Sequence, residues 1–180
     1  MINKYNKFLF GLHSIVLLLF FIWITNIHCT TISKTPKIDS WVNDSANILS
    51  KEDQSKLSNI LNQYHNETHH QIVILIVPTL SGETIEDFSL RVAKANGIGY
   101  KGYDNGILIT LAVKEKKVRI ELGKGMEPYI SNSTAKMIIV TKMTPYFAKD
   151  DFATGLENGL NQLMEKAREF VIKDELLLKK

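Results

Sequence analysis

A continuous run of aliphatic residues constrains the fold of this 180-residue chain more than any other feature. Ile72 to Val77 is apolar and largely β-branched throughout. A strand with one solvated face would alternate apolar and polar side chains, so an unbroken run indicates a strand buried on both faces. Gly106 to Val113 repeats the pattern, interrupted by Thr110. Two such strands require helices on both sides of the sheet, which predicts an α/β fold.

Helix and turn signals surround these two strands. Ser50 and Thr84 each precede a stretch with helical apolar spacing, and each is followed three residues later by an aspartate, as in a capping box. Val118 to Leu122 alternates after a polar turn, which predicts a hairpin with the preceding strand. Ser131 is placed to cap a helix running to about Met143, and a last helix follows Asp151. The order predicts three layers, α/β/α, around a central mixed sheet that includes this hairpin.

The first residues of the chain are typical of a targeting segment. Lys4 and Lys7 precede an apolar stretch over residues 8–24, whose purest run, Ile15 to Ile24, has ten residues. A membrane-spanning helix needs roughly 20 residues, whereas a signal peptide needs an apolar region of about 7–15. We expect residues 1–29 to be a secretory signal cleaved near Cys29, which predicts an extracytoplasmic (periplasmic or secreted) protein. The alternative is an uncleaved anchor through residues 8–24.

The remainder divides into a linker, one domain and a tail. Residues 30–40 are polar and aperiodic, residues 41–170 carry the predicted elements, and residues 171–180 form a polar tail. Cys29 is the single cysteine, which excludes an intramolecular disulfide and a thiolate zinc site. The net charge of +3 is too small to indicate the basic surface that nucleic-acid-binding proteins use to contact phosphates.

Two motifs with familiar letters are assigned structural roles. Residues 97–102 match the G-x-G-x-x-G pattern of dinucleotide-binding proteins. That pattern binds phosphate only where a strand precedes it and a helix follows, whereas here a helix is predicted before it and a strand after it. His65 and His69 are four residues apart, yet Asn66 and Thr68 disfavour a helix through both. We interpret the glycines as a loop and the histidines as a solvated helix end.

Acidic and amide side chains in the predicted loops form the candidate site. Asp44 precedes the first helix, Asp104 and Asn105 precede the second strand, Glu127 follows the third, and Asn132 opens the next helix. Loops at strand ends can converge at one edge of an open α/β sheet. Because Ca²⁺ takes 6–8 oxygen ligands, we predict a calcium site of Asp44, Asp104 and Glu127, with Asn105 and Asn132 as further donors. Taken singly, each of these residues is better explained as a cap or turn residue.

Five segments in order resemble the TPM domain family. Residues 41–50 (WVNDSANILS) match its opening V-x-D-x-A-x-x-L-S, and residues 118–127 (VRIELGKGME) match its R-x-x-x-G-x-G-x-E signature. Residues 85–88 and 97–106 resemble its central segment, and residues 145–155 its closing P-x-F…D-[YF]-x-x-G. Asp44, Asp104, Asn105 and Glu127 fall on the acidic loop motifs, whereas Asn132 stands where the usual L-T-D has an acid.

The resemblance implies a Rossmann-like fold, a secreted or lumenal location and a bound divalent cation. We expect this cation to be Ca²⁺, with Mg²⁺ or another divalent cation as the alternative. Asn132 keeps a carbonyl oxygen without the charge, which implies a weaker cation site. Plant members of the family are associated with acid-phosphatase activity linked to photosystem repair, and other members act as accessory proteins without known catalysis. Two functions therefore stay open: an accessory domain for a protein partner or membrane complex, and a metal-dependent phosphatase acting on phosphate monoesters. Membrane contact is expected only if the N-terminal segment is uncleaved.

Overall fold

The computed structural model describes residues 34–178, with side chains through residue 169. The predicted signal segment lies outside the described residues. Within them, no helix has both the length and the apolarity needed to cross a bilayer.

Nine elements of regular structure and one π-helical turn make up the described chain. The strands are Val42–Asp44 (β1), Gln71–Val77 (β2), Gly106–Ala112 (β3) and Lys117–Leu122 (β4). The helices are Lys51–Thr68 (α1), Ile85–Asn96 (α2), Asn132–Ile138 (α3), Thr144–Phe147 (α4) and Phe152–Leu178 (α5), with the π-helical turn Ile139–Met143 between α3 and α4.

The four strands form one mixed sheet in the order β1-β2-β3-β4. β1, β2 and β3 are parallel, and β4 returns antiparallel to β3. β2 and β3 pair along their whole length, from Gln71 opposite Gly106 to Val77 opposite Ala112. The predicted α/β fold with a mixed sheet and a hairpin is confirmed.

Alternate side chains of the central strands supply two separate cores. Ile72, Ile74 and Ile76 pack with apolar residues of α1 and α5 on one face. Val73, Leu75 and Val77 pack with Phe88 and Val92 of α2 on the other. Each fully buried aliphatic side chain contributes roughly 1.5–3 kcal/mol, so the strands are stabilised from both sides, as the unbroken apolar run predicts.

The predicted helix starts are confirmed in atomic detail. The Ser50 hydroxyl accepts the backbone N–H of Asp53 at 3.0 Å, and the Thr84 hydroxyl accepts that of Asp87 at 3.1 Å. Ser131 does the same for Thr134 at 3.1 Å. These bonds satisfy N–H groups that have no partner within the helix.

Three elements differ from the sequence-based expectation. β1 was not anticipated, because a three-residue edge strand has too little periodicity to detect. The helix after Ser131 changes to a π turn before Pro145, where both the N–H and the hydroxyl of Thr144 bind the carbonyl of Ile139. A proline cannot donate the next helical hydrogen bond, which favours such a change of winding. The backbone of α5 stays helical to Leu178, through most of the predicted polar tail.

Glycines let two loops pack backbone against backbone beside β3 and β4. The N–H of Gly123 donates to the carbonyl of Gly106 at 2.8 Å, and that of Gly125 to the carbonyl of Asp104 at 3.1 Å. A Cβ atom at Gly123 would overlap the Asp104 carbonyl, and one at Gly125 would overlap the Tyr103 carbonyl. The turn 123–127 can therefore lie on the loop 97–104 only without side chains at these two positions.

Gly125→Ala should lower the free energy of unfolding by about 3 kcal/mol, since the added methyl displaces backbone rather than a flexible side chain. Gly82→Ala is the matched control, because its Cβ would meet no atom within 4 Å. The control carries only the strain of its positive φ, about 1–2 kcal/mol. Urea unfolding of both variants measures the difference, and equal losses would contradict the packing argument.

Candidate functional site

The directions of the strands place the predicted ligands at two different edges of the sheet. Asp44 ends β1 opposite Ile76, whereas Asp104 lies just before Gly106, which pairs with Gln71. Ile76 and Gln71 are five residues apart on β2, about 16 Å at 3.3 Å per residue. The expectation that all three carboxylates meet at one edge is wrong for Asp44, because Asp44 is the last residue of its strand whereas Asp104 precedes the first residue of β3. β4 runs antiparallel to β3 and ends at Leu122, opposite Ile107. The segment that carries Glu127 therefore starts at the same edge of the sheet as Asp104.

At the carboxyl edge of the parallel strands, the carboxylates hold loops in place. Asp44 accepts the backbone N–H groups of Ala46 and Leu49, at 3.1 and 2.9 Å. Glu115 accepts the Thr79 hydroxyl at 2.7 Å and the N–H of Leu80 at 3.2 Å. Burial raises the pKa of Glu115, but these hydrogen bonds outweigh it and hold the pKa below its ordinary value. Both carboxylates are therefore occupied by hydrogen bonds to the loops at this edge.

The opposite edge holds a cleft of about 730 Å³, which we call the loop cleft. Its walls are the second half of α2, the loop 97–104 and the turn 123–127, and Leu108 and Leu122 of the hairpin contribute to it. Ligand pockets in proteins commonly measure about 300–1,000 Å³. This cleft is therefore large enough to be a binding site.

Asp104 and Glu127 both line the loop cleft. The glycine packing of the turn 123–127 on the loop brings them there from two different connections. Asp104 has a φ of +47°, a left-handed conformation that aspartate tolerates better than most residues. Within residues 34–169, neither carboxylate has a hydrogen-bond or ion-pair partner. They differ in this respect from the engaged carboxylates at the other edge.

Asn105 lies beneath the cleft as an anchor of its loop. The side chain is 4% exposed; its oxygen accepts the N–H of Tyr100 at 2.9 Å, and its amide donates to the carbonyl of His69 at 3.2 Å. Gln71 adds a second tie by accepting the N–H of Gly99 at 2.7 Å. The predicted donor oxygen of Asn105 is thus already engaged within the fold.

An aromatic stack fixes the outer side of the same loop. The rings of Tyr100 and His65 are stacked, with centroids 5.9 Å apart and an interplanar angle of 6°. The centroid of the His65 ring also lies 5.1 Å from that of the Trp41 ring. His69 does not share the helix of His65, because it is the left-handed C-cap residue of α1. The pair does not form a chelating helix face, and His65 positions the loop.

Asn132 is exposed at the first position of α3, immediately after the capping residue Ser131. It does not line the loop cleft. The structure therefore places Asp104 and Glu127 on one cleft, buries Asn105 in the contacts of its loop, and leaves Asn132 and Asp44 outside the cleft.

Basic side chains from three elements also line the cleft: Lys94 of α2, Lys101 of the loop and Lys124 of the turn. Glu121 lines it as well, but its carboxylate is paired with Arg119 at 2.6 Å. Sequence reasoning missed these lysines, because only the fold shows that residues 30 positions apart face one space.

The side chains of the loop cleft limit the kind of cation site that they can form. The described part of the chain contains no group of three or more His, Cys, Asp or Glu side chains able to hold a metal. A site made wholly of protein oxygens, as in a high-affinity calcium loop, does not fit. Two free carboxylates do fit a cation that keeps several waters or shares its ligands with a bound molecule, as Mg²⁺ commonly does.

Solved structures share this fold. The N-terminal domain of a protein from P. gingivalis, solved by NMR, is 26% identical, with a TM-score of 0.66 over 73% of this chain and 83% of its own. The BA42 protein of the psychrophilic bacterium Bizionia argentinensis is 19% identical, with a TM-score of 0.61 over 68% and 83% of the two chains. The N-terminal domain of the cg2496 protein from Corynebacterium glutamicum is 15% identical, with a TM-score of 0.57 over 75% and 85%.

No protein of curated function matches the sequence significantly. A sequence profile of the TPM domain, in contrast, matches residues 42–166, from β1 into α5. The matched region contains the whole sheet, every residue of the loop cleft and every buried apolar core residue except Ala167. The chain belongs to the TPM domain family.

Proposed function

We propose that this protein is an extracytoplasmic accessory domain that binds a divalent cation in the loop cleft and engages a partner during repair or assembly. The observation that carries the proposal is the pair Asp104 and Glu127, two carboxylates in one cleft with no partner among the described residues. A divalent cation in the cleft would take both carboxylates as oxygen ligands. Ca²⁺ is the proposed ion, with Mg²⁺ as the alternative.

The charges around the two carboxylates favour the binding of a ligand together with the ion over a high-affinity site for the ion alone. Lys94, Lys101 and Lys124 line the same cleft and oppose a bare cation there. They would, however, attract an anionic group that also coordinates the ion. Such a shared ion has weak affinity alone and suits a compartment where free calcium is abundant.

Calorimetry with Ca²⁺ tests the site. Asp104→Asn and Glu127→Gln should each weaken binding at least tenfold, since each removes a charged oxygen ligand from a two-carboxylate site. Asp44→Asn is the matched control: it should keep the affinity but lower stability by about 1–3 kcal/mol through its lost loop bonds. Asn132→Asp should leave the affinity within twofold, because Asn132 does not line the cleft. Null calorimetry together with identical melting temperatures in Ca²⁺ and EDTA would overturn the proposal.

The alternative function, hydrolysis of phosphate monoesters, is supported by the lysines that share the cleft with Asp104. A cation would neutralise phosphate oxygens and orient the ester for attack by water, with Asp104 as the candidate base; Asp44 lies too far away. We expect p-nitrophenyl phosphate to be turned over no faster by the wild type than by Asp104→Ala, with or without EDTA. EDTA-sensitive turnover that Asp104→Ala abolishes would make the protein a phosphatase.

The extracytoplasmic location rests on the basic start and short apolar run of residues 1–24. We expect the protein recovered from its host outside the cytoplasm to begin near residue 30. N-terminal sequencing of fractionated cells measures this. An intact Met1 in the membrane fraction would indicate the anchor instead, and an intact Met1 in the cytoplasm would refute export.

A further inference from the structure

We infer that the loop cleft binds a carboxylate carried on an apolar body, such as an acyl chain or a peptide ending in an aliphatic residue. The inference rests on the proposed function for the cation and on the cleft itself for the apolar part.

The apolar half of the cleft is formed by α2 and by the sheet beneath it. Leu90 and Ala93 of α2 line it, together with Ile98 at the start of the loop and the buried Leu108. Leu90 is 41% exposed, whereas Ile85, Phe88 and Val92 of the same helix are buried. An exposed leucine over an apolar floor offers area that a ligand can cover.

Exposed apolar side chains concentrate at this place. Among residues 34–169, five large hydrophobic or aromatic side chains are exposed, and Leu90, Tyr100 and Tyr103 belong to the cleft wall or its loop. Tyr100 is 45% exposed yet held by its stack on His65. A fixed aromatic ring loses little conformational freedom when it contacts a ligand. The other two exposed side chains, Met137 and Val140, lie on α3 and the π turn and do not line the cleft.

The charged half of the cleft favours an anion once the cation is present. The ion balances Asp104 and Glu127, and Arg119 already neutralises Glu121. Lys94, Lys101 and Lys124 then leave the cleft positive, and within the described residues none of the three has an ion-pair partner. A ligand carboxylate can supply the oxygen ligands that the protein lacks.

The geometry places these halves beside one another. α2 contributes Leu90 and Lys94, one helical turn apart, while the turn 123–127 contributes Lys124 and Glu127. A ligand that covers the apolar wall therefore directs its head towards the carboxylates and the ion. Cation and ligand should raise each other's affinity by the same factor, because their coupling is reciprocal.

The test uses the full chain as its host makes it, with site-resolved amide shifts of Gly99, Gly123 and Gly125 as the readout. Two probes separate the sources of the carboxylate: octanoate, and an N-acetylated tetrapeptide ending in leucine. We expect at least one probe to shift these amides in Ca²⁺. Leu90→Asp should weaken that probe at least tenfold and Lys124→Glu at least fivefold.

The matched variants lie on α3. Met137→Asp and Lys136→Glu change an exposed apolar side chain and an exposed basic side chain that do not line the cleft. They should leave probe binding within twofold, and thermal melts check that all four variants fold. If Ca²⁺ binds but neither probe shifts the cleft amides, or if Leu90→Asp has no effect, the inference is wrong and the cation site stands. If a probe binds equally in EDTA and still depends on Leu90, the ligand site is supported and the proposed role of the cation fails.

Discussion

The pairing of β2 with β3 is the interaction on which the rest of the structure depends. Seven residues of each strand are in parallel register, and both strands are buried on both faces. Their side chains point alternately into the two cores. One core packs against α2, and the other packs against α1 and α5. Because this pair sets the direction of the sheet, it also decides which connection lies at which edge.

The reversal of β4 creates the candidate site. A fourth parallel strand would have sent its following loop to the edge occupied by Asp44. The antiparallel hairpin instead returns the chain to the loop that carries Asp104, and Gly123 and Gly125 let the two backbones touch. The spacing G-x-G-x-E of the family signature thus has a physical reason: the glycines permit the approach, and the glutamate enters the cleft.

The loop that forms the cleft is held from below and from outside. Asn105 and Gln71 bind its backbone, and His65 stacks on Tyr100. Each of these residues is explained by a structural contact, although sequence reasoning treated Asn105 as a metal ligand and His65 as solvated. An amide or an imidazole side chain can bind a ligand or hold a loop in place, and only the groups that surround it in the fold decide between these two roles. The proposed ligand site depends on this preorganised loop as much as on its charges.

The sequence by itself determined the fold class, the two buried strands, the hairpin and the caps at Ser50, Thr84 and Ser131. These depend on local periodicity and on hydrogen bonds between residues a few positions apart. Tertiary structure alone decided that Asp44 lies at the other edge from Asp104 and Glu127, and that three lysines share their cleft. Those facts depend on strand direction and on contacts between distant segments, which no local pattern encodes.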